Sequence, residues 1–225
     1  MIELFDVTHR YGSRVVLREV SVRLTEQRIG VIGANGSGKS TFARLLNGLV
    51  VPSSGRVLVD GLDTRRRGAE VRKRVGFVFT DPDAQVVMPT VAEDVAFGLR
   101  RRGLSREEIS RRVAATLERY GLADYADHPA YLLSGGQKQL LALAGVLATE
   151  PATLVCDEPT TLLDLRNARM VAGLLATLPQ RIVLVTHHLD LLEAFDRVLV
   201  FDEGRLVADG TPAEAVSTYR KLVDG

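Results

Sequence analysis

The chain of 225 residues contains a single cysteine, Cys156, so it can form neither an internal disulfide nor a thiolate metal cluster. The setting of that residue, TLVCDEP, reads as buried strand. Excess charge is missing too. A formal net charge of +1 gives no bulk attraction to nucleic acid or to an anionic membrane, so any such contact must be local. No uncharged apolar run approaches the ~18 residues that span a bilayer, and MIELFDVTHRYG lacks the basic start and apolar stretch of a signal peptide. The expectation is a soluble, intracellular protein. Repeats, low-complexity tracts and heptads are absent, which excludes solenoids and long coiled coils. What is present is ordinary globular composition, 46% hydrophobic and 25% charged, enough for one domain or one domain with an insertion.

Along the chain the pattern changes twice. From Ile2 to about Val59, short Val-, Ile- and Leu-rich runs alternate as strands do, interrupted by a glycine-rich segment. RIGVIG reads as a strand, the glycines as a loop, and Lys39 onward as a helix whose apolar stripe is Phe42, Leu45, Leu46 and Leu49. From about Val86 to Pro129 the pattern is helical. Ser105 and Glu108 form a capping box ahead of an apolar face of Ile109, Val113, Leu117 and Tyr120. The arginines at 100–102, 111 and 112 share this segment with Glu107, Glu108 and Glu118 and have few aromatics among them, so they read as a solvated helix surface. The last third returns to α/β rhythm. TLVCDEP and RIVLVTHH are apolar runs suited to parallel strands buried on both faces, and Met170, Val171, Leu174, Leu175 and Leu178 form a helical face between them. RVLVFDEGRLVADG reads as a hairpin turning at Glu203-Gly204, which assigns Asp202 and Glu203 to the turn.

Chemistry concentrates in a few segments. GANGSGKS, Gly33 to Ser40, fits G-x-x-x-x-G-K-[ST] between a predicted strand and a predicted helix, the context that a phosphate-binding loop requires. The cradle comprises Gly33, Ala34, Asn35, Gly36, Ser37, Gly38, Lys39, Ser40 and Thr41. Its glycines let backbone N–H groups face phosphate oxygens, the helix start adds its positive dipole end, Lys39 reaches the terminal phosphates and the Ser40 hydroxyl binds Mg²⁺. Lysine occurs only at 39, 73, 138 and 221 in an arginine-rich chain, so Lys39 is no compositional accident. A glycine turn capping an ordinary helix is the plainer alternative. At the end of the apolar strand TLVCDEP, Asp157 suits the metal and Glu158 suits the water that attacks phosphate, although two acids at a strand end can be mere surface. None of the three asparagines, Asn35, Asn47 and Asn167, is followed by lysine, which removes the N-K-x-D guanine reader and favours ATP. A second glycine-rich segment, SGGQ, precedes Leu140, Leu143, Ala144 and Leu147 and so forms another helix start suited to an anion.

Together these motifs resemble the ATP-binding cassette ATPases over nearly the whole chain, with LSGGQ, Leu133 to Gln137, as the most specific mark. The resemblance implies an α/β fold, a P-loop NTPase core with a parallel sheet, an N-terminal antiparallel β region and an inserted helical subdomain. One ABC ATPase domain would fill 1–225, with the core at about 1–85 and 150–225 and the helical part at about 86–149. By the same resemblance Tyr11 stacks on adenine, Ser134, Gly135, Gly136 and Gln137 bind the γ-phosphate held by an opposite protomer, Asp164 crosses to that protomer, and His187 contacts the γ-phosphate. His188 is assigned to the surface. Two ATP molecules would join two protomers, most simply a homodimer, and hydrolysis would release them.

PDAQVVMPTVAEDVAFG and HPAYLLSGGQKQLLALAGVLATEP are most similar to the ATPases of energy-coupling factor importers for biotin, cobalt or nickel, and the short chain is most similar to the biotin type. That group implies a transmembrane coupling protein, a substrate-binding membrane subunit, a peripheral place on the cytoplasmic face of the membrane, and no nucleic acid. Other classes within reach are a nucleic-acid-processing cassette ATPase, disfavoured by the missing coiled coil, and a regulatory nucleotide switch. The sequence also departs from the pattern. Thr80 stands where glutamine is usual, which is expected to weaken metal contact there, with a water or Gln85 substituting. Leu140 and Leu163 replace the arginine and the small residue that are usual at those places.

Overall fold

The computed structural model describes residues 1–224. In chain order the elements are β1 (Ile2–Tyr11), β2 (Arg14–Leu24), β3 (Arg28–Gly33), α1 (Lys39–Leu46), β4 (Ser54–Val59), β5 (Leu62–Asp63), α2 (Thr64–Arg74), β6 (Val75–Val78), α3 (Val91–Leu99) and α4 (Arg106–Arg119). Then follow α5 (Gly135–Leu147), β7 (Thr153–Asp157), α6 (Leu165–Thr177), β8 (Arg181–Val185), β9 (Arg197–Asp202), β10 (Arg205–Gly210) and α7 (Pro212–Asp224). They fall into two compact units, one of Met1–Phe77, Ala152–Glu158 and Pro179–Gly225, the other of Val78–Pro151 and Pro159–Leu178.

The first unit carries the sheets. A four-stranded antiparallel sheet has the order β2-β1-β4-β5, and a six-stranded sheet has the order β10-β9-β3-β8-β7-β6. In the larger sheet β3 runs parallel to both β8 and β9, and β7 runs parallel to β8, while β10 returns antiparallel on β9. The continuous apolar runs are the reason for this layout. Every residue of β7, and all of β8 after Arg181, is buried, as in strands covered on both faces. Phe42 on α1 stacks against Phe201 of β9 with ring centroids 4.8 Å apart, pressing the helix that follows the glycine-rich loop onto the sheet. Cys156 is fully buried in β7, and burial pushes its thiol far above the ordinary range, so it is inert packing.

The predicted α1 stripe is shorter than its spacing suggested. The helix ends at Leu46, Asn47 follows, and Gly48 takes φ 70°. Gly48 N–H donates to the Leu45 carbonyl and Leu49 N–H to the Arg44 carbonyl, the paired bonds of a Schellman stop. Leu49 is thereby turned out to 44% exposure. The Glu203-Gly204 hairpin turn is as predicted, with φ 44° and 80°.

The second unit is helical. Val91, Val95, Leu99, Val113, Leu117, Leu141 and Ala144 bring α3, α4 and α5 around one core. Ser105 caps α4 by accepting from Glu108 N–H, but Glu108 spends its carboxylate on Arg111 and Arg112, so only half of the predicted capping box forms. The full boxes are Thr90 with Glu93 at α3 and Ser134 with Gln137 at α5. The unit also takes in α6, which the sequence division places with the core. The physical reason is a close approach to α5: a Cβ on Gly136 would lie 2.4 Å from the Asn167 side chain. On α6, Val171 and Leu175 are buried while Met170 is 41% exposed, and Leu178 lies past the helix end, so the predicted face is narrower than drawn.

Candidate functional site

In the first unit, β3 ends at Gly33 and the chain turns through Ala34–Ser37 to Gly38, the left-handed N-cap of α1 at φ 102°. No side chain caps this helix, so its leading N–H groups remain available to an anion. Lys39 is 7% exposed and folds back on the loop, its Nζ donating to the Gly33 carbonyl at 2.7 Å and the Ala34 carbonyl at 2.9 Å. Burial lowers the pKa of its ammonium from the usual lysine value, and the nearby carboxylates of Glu158 and Asp157 work against that.

The next residue of α1 reaches across to β7. Ser40 Oγ donates to Asp157 Oδ1 at 2.9 Å. Burial pushes the Asp157 carboxyl above its ordinary range; the Ser40 bond and the Arg44 guanidinium pull the other way. A hydroxyl and a carboxylate oxygen side by side are hard donors of the kind that would hold Mg²⁺. One residue on, Glu158 leaves the strand at φ 53°, a left-handed conformation costing a non-glycine residue about 1 kcal/mol. Its N–H donates to the Val185 carbonyl at 3.0 Å, which anchors the bend to the end of β8. From that same strand end comes His187, whose Nδ1 lies 2.7 Å from Glu158 Oε2. Parallel pairing of β7 and β8 is what brings Asp157, Glu158 and His187 to one edge.

Tyr11, the last residue of β1, pairs with Arg14 across the β1–β2 turn. It is 49% exposed, and its ring meets that of the buried His9 nearly at right angles, with centroids 4.6 Å apart. His188 is exposed, as expected.

The other predicted residues belong to the second unit. Ser134 accepts from Gln137 N–H, and Gln137 Oε1 accepts from Ser134 N–H at 2.9 Å, so this helix start satisfies itself. Asp164 caps α6, accepting at 2.8 Å from Asn167 N–H and at 3.0 Å from Asn167 Nδ2. Because Asn167 also fills the space over Gly136, it joins the Asp164 turn to the SGGQ helix. Thr80 is half-buried just beyond β6. Gln85 accepts from Phe79 N–H at 3.0 Å and donates to the Ala142 carbonyl at 3.2 Å. Its amide oxygen accepts one backbone bond and keeps a second lone pair.

Two contacts escaped the sequence pattern. Arg44 lies one helical turn beyond Ser40 and brings Nη2 to 3.7 Å from Asp157 Oδ2, which the i, i+4 spacing on α1 could have signalled. Asn167 carried no motif signal.

A glycine-rich loop at a strand-to-helix turn, a lysine folded into it, and a helix serine bonded to the carboxylate that ends a parallel strand one place beyond the loop strand's neighbour define a P-loop ATPase. Residues 17–161 match the model of the ABC transporter family. The chain is 50% identical over 212 residues, 94% of each chain, to the biotin transport ATP-binding protein BioM of Rhizobium etli. It is 48% identical over 200 residues to the energy-coupling factor transporter ATP-binding protein EcfA1 of Symbiobacterium thermophilum, covering 86% of this chain and 70% of that one. Among solved structures, cbiO1 of Clostridium perfringens, part of the ABC transporter complex cbiONQ, superposes with a TM-score of 0.83 at 33% identity over 99% of this chain and 92% of that one. The chain belongs to the ABC transporter family, as an ATP-binding and ATP-hydrolysing subunit of the energy-coupling factor type.

Proposed function

We propose that two copies of this chain close on two ATP molecules and reopen on hydrolysis, driving an importer for a vitamin or a transition-metal ion, with biotin, cobalt and nickel as the candidate substrates. All of 1–225 acts as one ATPase domain with a helical subdomain. Tyr11 stacks on adenine, Gly33 to Thr41 wrap the phosphates, and Lys39 exchanges its bonds to the Gly33 and Ala34 carbonyls for phosphate oxygens. Ser40 and Asp157 hold Mg²⁺, which when bound neutralises phosphate charge. Glu158 polarises the attacking water, and His187, oriented by its bond to Glu158, contacts the γ-phosphate. Ser134 to Gln137 complete the site of the opposite protomer, and Asp164 crosses to it. At the position of Thr80, a water takes the place of the usual amide ligand.

The 2.7 Å contact between Glu158 and His187, beside the Ser40–Asp157 pair, carries this reading, because it combines a water-activating group and a phosphate-facing group at one strand end. No helix among the described residues is long and apolar enough to cross a membrane. Membrane contact is therefore assigned to partners: a transmembrane coupling protein and a substrate-binding membrane subunit, engaged from the cytoplasmic face. Similarity to a biotin transport ATP-binding protein supports that assignment and favours biotin. Nucleic acid has no part in it.

Glu158→Gln tests the proposal. Its turnover should fall by about two to four orders of magnitude, while ATP should shift it from monomer to dimer in size-exclusion chromatography. Hydrolysis at the parental rate removes the Glu158 role, and an ATP-independent monomer removes the motor. Affinity capture from membranes should bring down two membrane proteins together with the imported small molecule.

A further inference from the structure

The turn at Glu203-Gly204 reverses the chain between β9 and β10, and it also touches the phosphate loop. Gly204 N–H donates to the Ser37 carbonyl at 3.1 Å, while the Gly204 carbonyl accepts from Arg18 N–H at 2.8 Å. Arg18 Nε adds a bond to the Glu203 carbonyl at 3.3 Å. The turn is thus pinned to β2 on one side and holds a peptide oxygen of the P-loop on the other.

A trans peptide is planar, and its C=O and N–H point in opposite directions. Holding the Ser37 carbonyl against Gly204 therefore sends the N–H of Gly38, in the same peptide plane, to the opposite side. Gly38 is the N-cap of α1, where no side chain competes for the leading N–H groups, and such groups are the ones that receive phosphate oxygens. The Ser37 hydroxyl does not steady the loop, since it is buried without a hydrogen-bond partner among the described residues. Only glycine fits the turn at this distance: a Cβ on Gly204 would lie 2.5 Å from the Val16 carbonyl oxygen, at φ +80°.

We propose that Gly204 is a positioning residue for the triphosphate, fixing the Ser37–Gly38 peptide so that the cradle is aligned before nucleotide arrives. The inference rests on the reading of Gly33 to Thr41 as the ATP cradle and assigns part of its order to a hairpin more than 160 residues further along the chain.

Gly61 supplies the control. It occupies the β4–β5 turn at φ +79°, nearly the same strain, but an added Cβ there meets nothing within 4 Å. Gly204→Ala and Gly61→Ala are compared by titration with a fluorescent ATP analogue, with ADP and adenosine as competitors, after circular dichroism confirms folding. Gly204→Ala is expected to weaken ATP about tenfold, the worth of one aligned hydrogen bond, and adenosine far less. Gly61→Ala should bind ATP as the parent does, since its added Cβ meets nothing. Equal affinities in the two variants, or a loss for adenosine as large as that for ATP, overturns the proposal.

Arg18→Met leaves the backbone bonds and removes the Nε bond to Glu203, so a loss of about twofold in the same direction is expected. Should Gly204→Ala fail to fold, parental ATP affinity in Arg18→Met overturns the proposal instead. Lys39→Ala separates the two levels. If it binds ATP as the parent does, the cradle reading falls. If it loses ATP while Gly204→Ala does not, the positioning role alone falls.

Discussion

The chain has two glycine-rich helix starts, and they are built in opposite ways. At α1 the N-cap is Gly38, no side chain caps the helix, and a buried lysine holds the loop carbonyls. At α5 Ser134 and Gln137 close a complete capping box. The first start has leading N–H groups that no side chain caps, beside the ammonium of Lys39, so a polyanion gains both at once. The second already satisfies its own leading groups, and a ligand must displace an internal cap before it gains anything. A self-capped start makes a weak binder alone and a useful sensor of phosphate held elsewhere, which is the division of labour that a site shared between protomers needs.

The sharpest way to break this comparison is Lys39→Ala. It should lower ATP affinity about a hundredfold, the worth of charge-assisted bonds to phosphate, measured by equilibrium titration on the monomer. Parental affinity would make the two starts equivalent. Ser134→Ala should leave monomer ATP affinity untouched but lose the cap, costing about 1 kcal/mol and about 2–4 °C in Tm, together with loss of ATP-dependent dimerisation. If that variant weakens ATP on the isolated protomer, the second start is no sensor.

A finer test is Thr80→Gln, which should lower the Mg²⁺ concentration for half-maximal hydrolysis by about threefold, for one restored polar contact. An unchanged requirement counts against the weakened contact at Thr80. The smallest effect belongs to Asp94, 8% exposed on α3, where it accepts from Val87 and Met88 N–H. Burial raises its pKa above the usual aspartate value despite those bonds. A carboxyl raised in the folded state stabilises fully below its unfolded pKa, and that contribution is lost as pH rises through the folded pKa. Asp94→Asn, which keeps the acceptor, should therefore be more stable at neutral pH, with a higher Tm, and leave ATP affinity unchanged. Scanning calorimetry should show the gain fading in acid; a constant gain would refute the burial argument.

Much of this was legible in the residues because it depends on local order. GANGSGKS between an apolar strand and an apolar helix, DE at the end of TLVCDEP, and SGGQ ahead of leucines each place donors and charges within a few residues. The hairpin at Glu203-Gly204 was legible for the same reason. Arg44 was not singled out, because its partner Asp157 lies more than 110 residues away and only the packing of α1 against the end of β7 brings them together. Gln85 looked available in the sequence and is engaged by Phe79 and Ala142 in the fold. Leu49 fitted the period of α1, yet a glycine stop ended the helix first.

By itself the sequence determined the class of chemistry, because the spacing of glycines, lysine, serine and carboxylates sets which oxygens and protons a phosphate can meet. Only the tertiary structure decided which of those groups are already spoken for: Ser134 by Gln137, Gln85 by Phe79, and Ser37 by Gly204. The reason is physical. Whether a buried or bent polar group is free to bind depends on partners delivered by other strands and helices, and a one-dimensional pattern carries no distance between them.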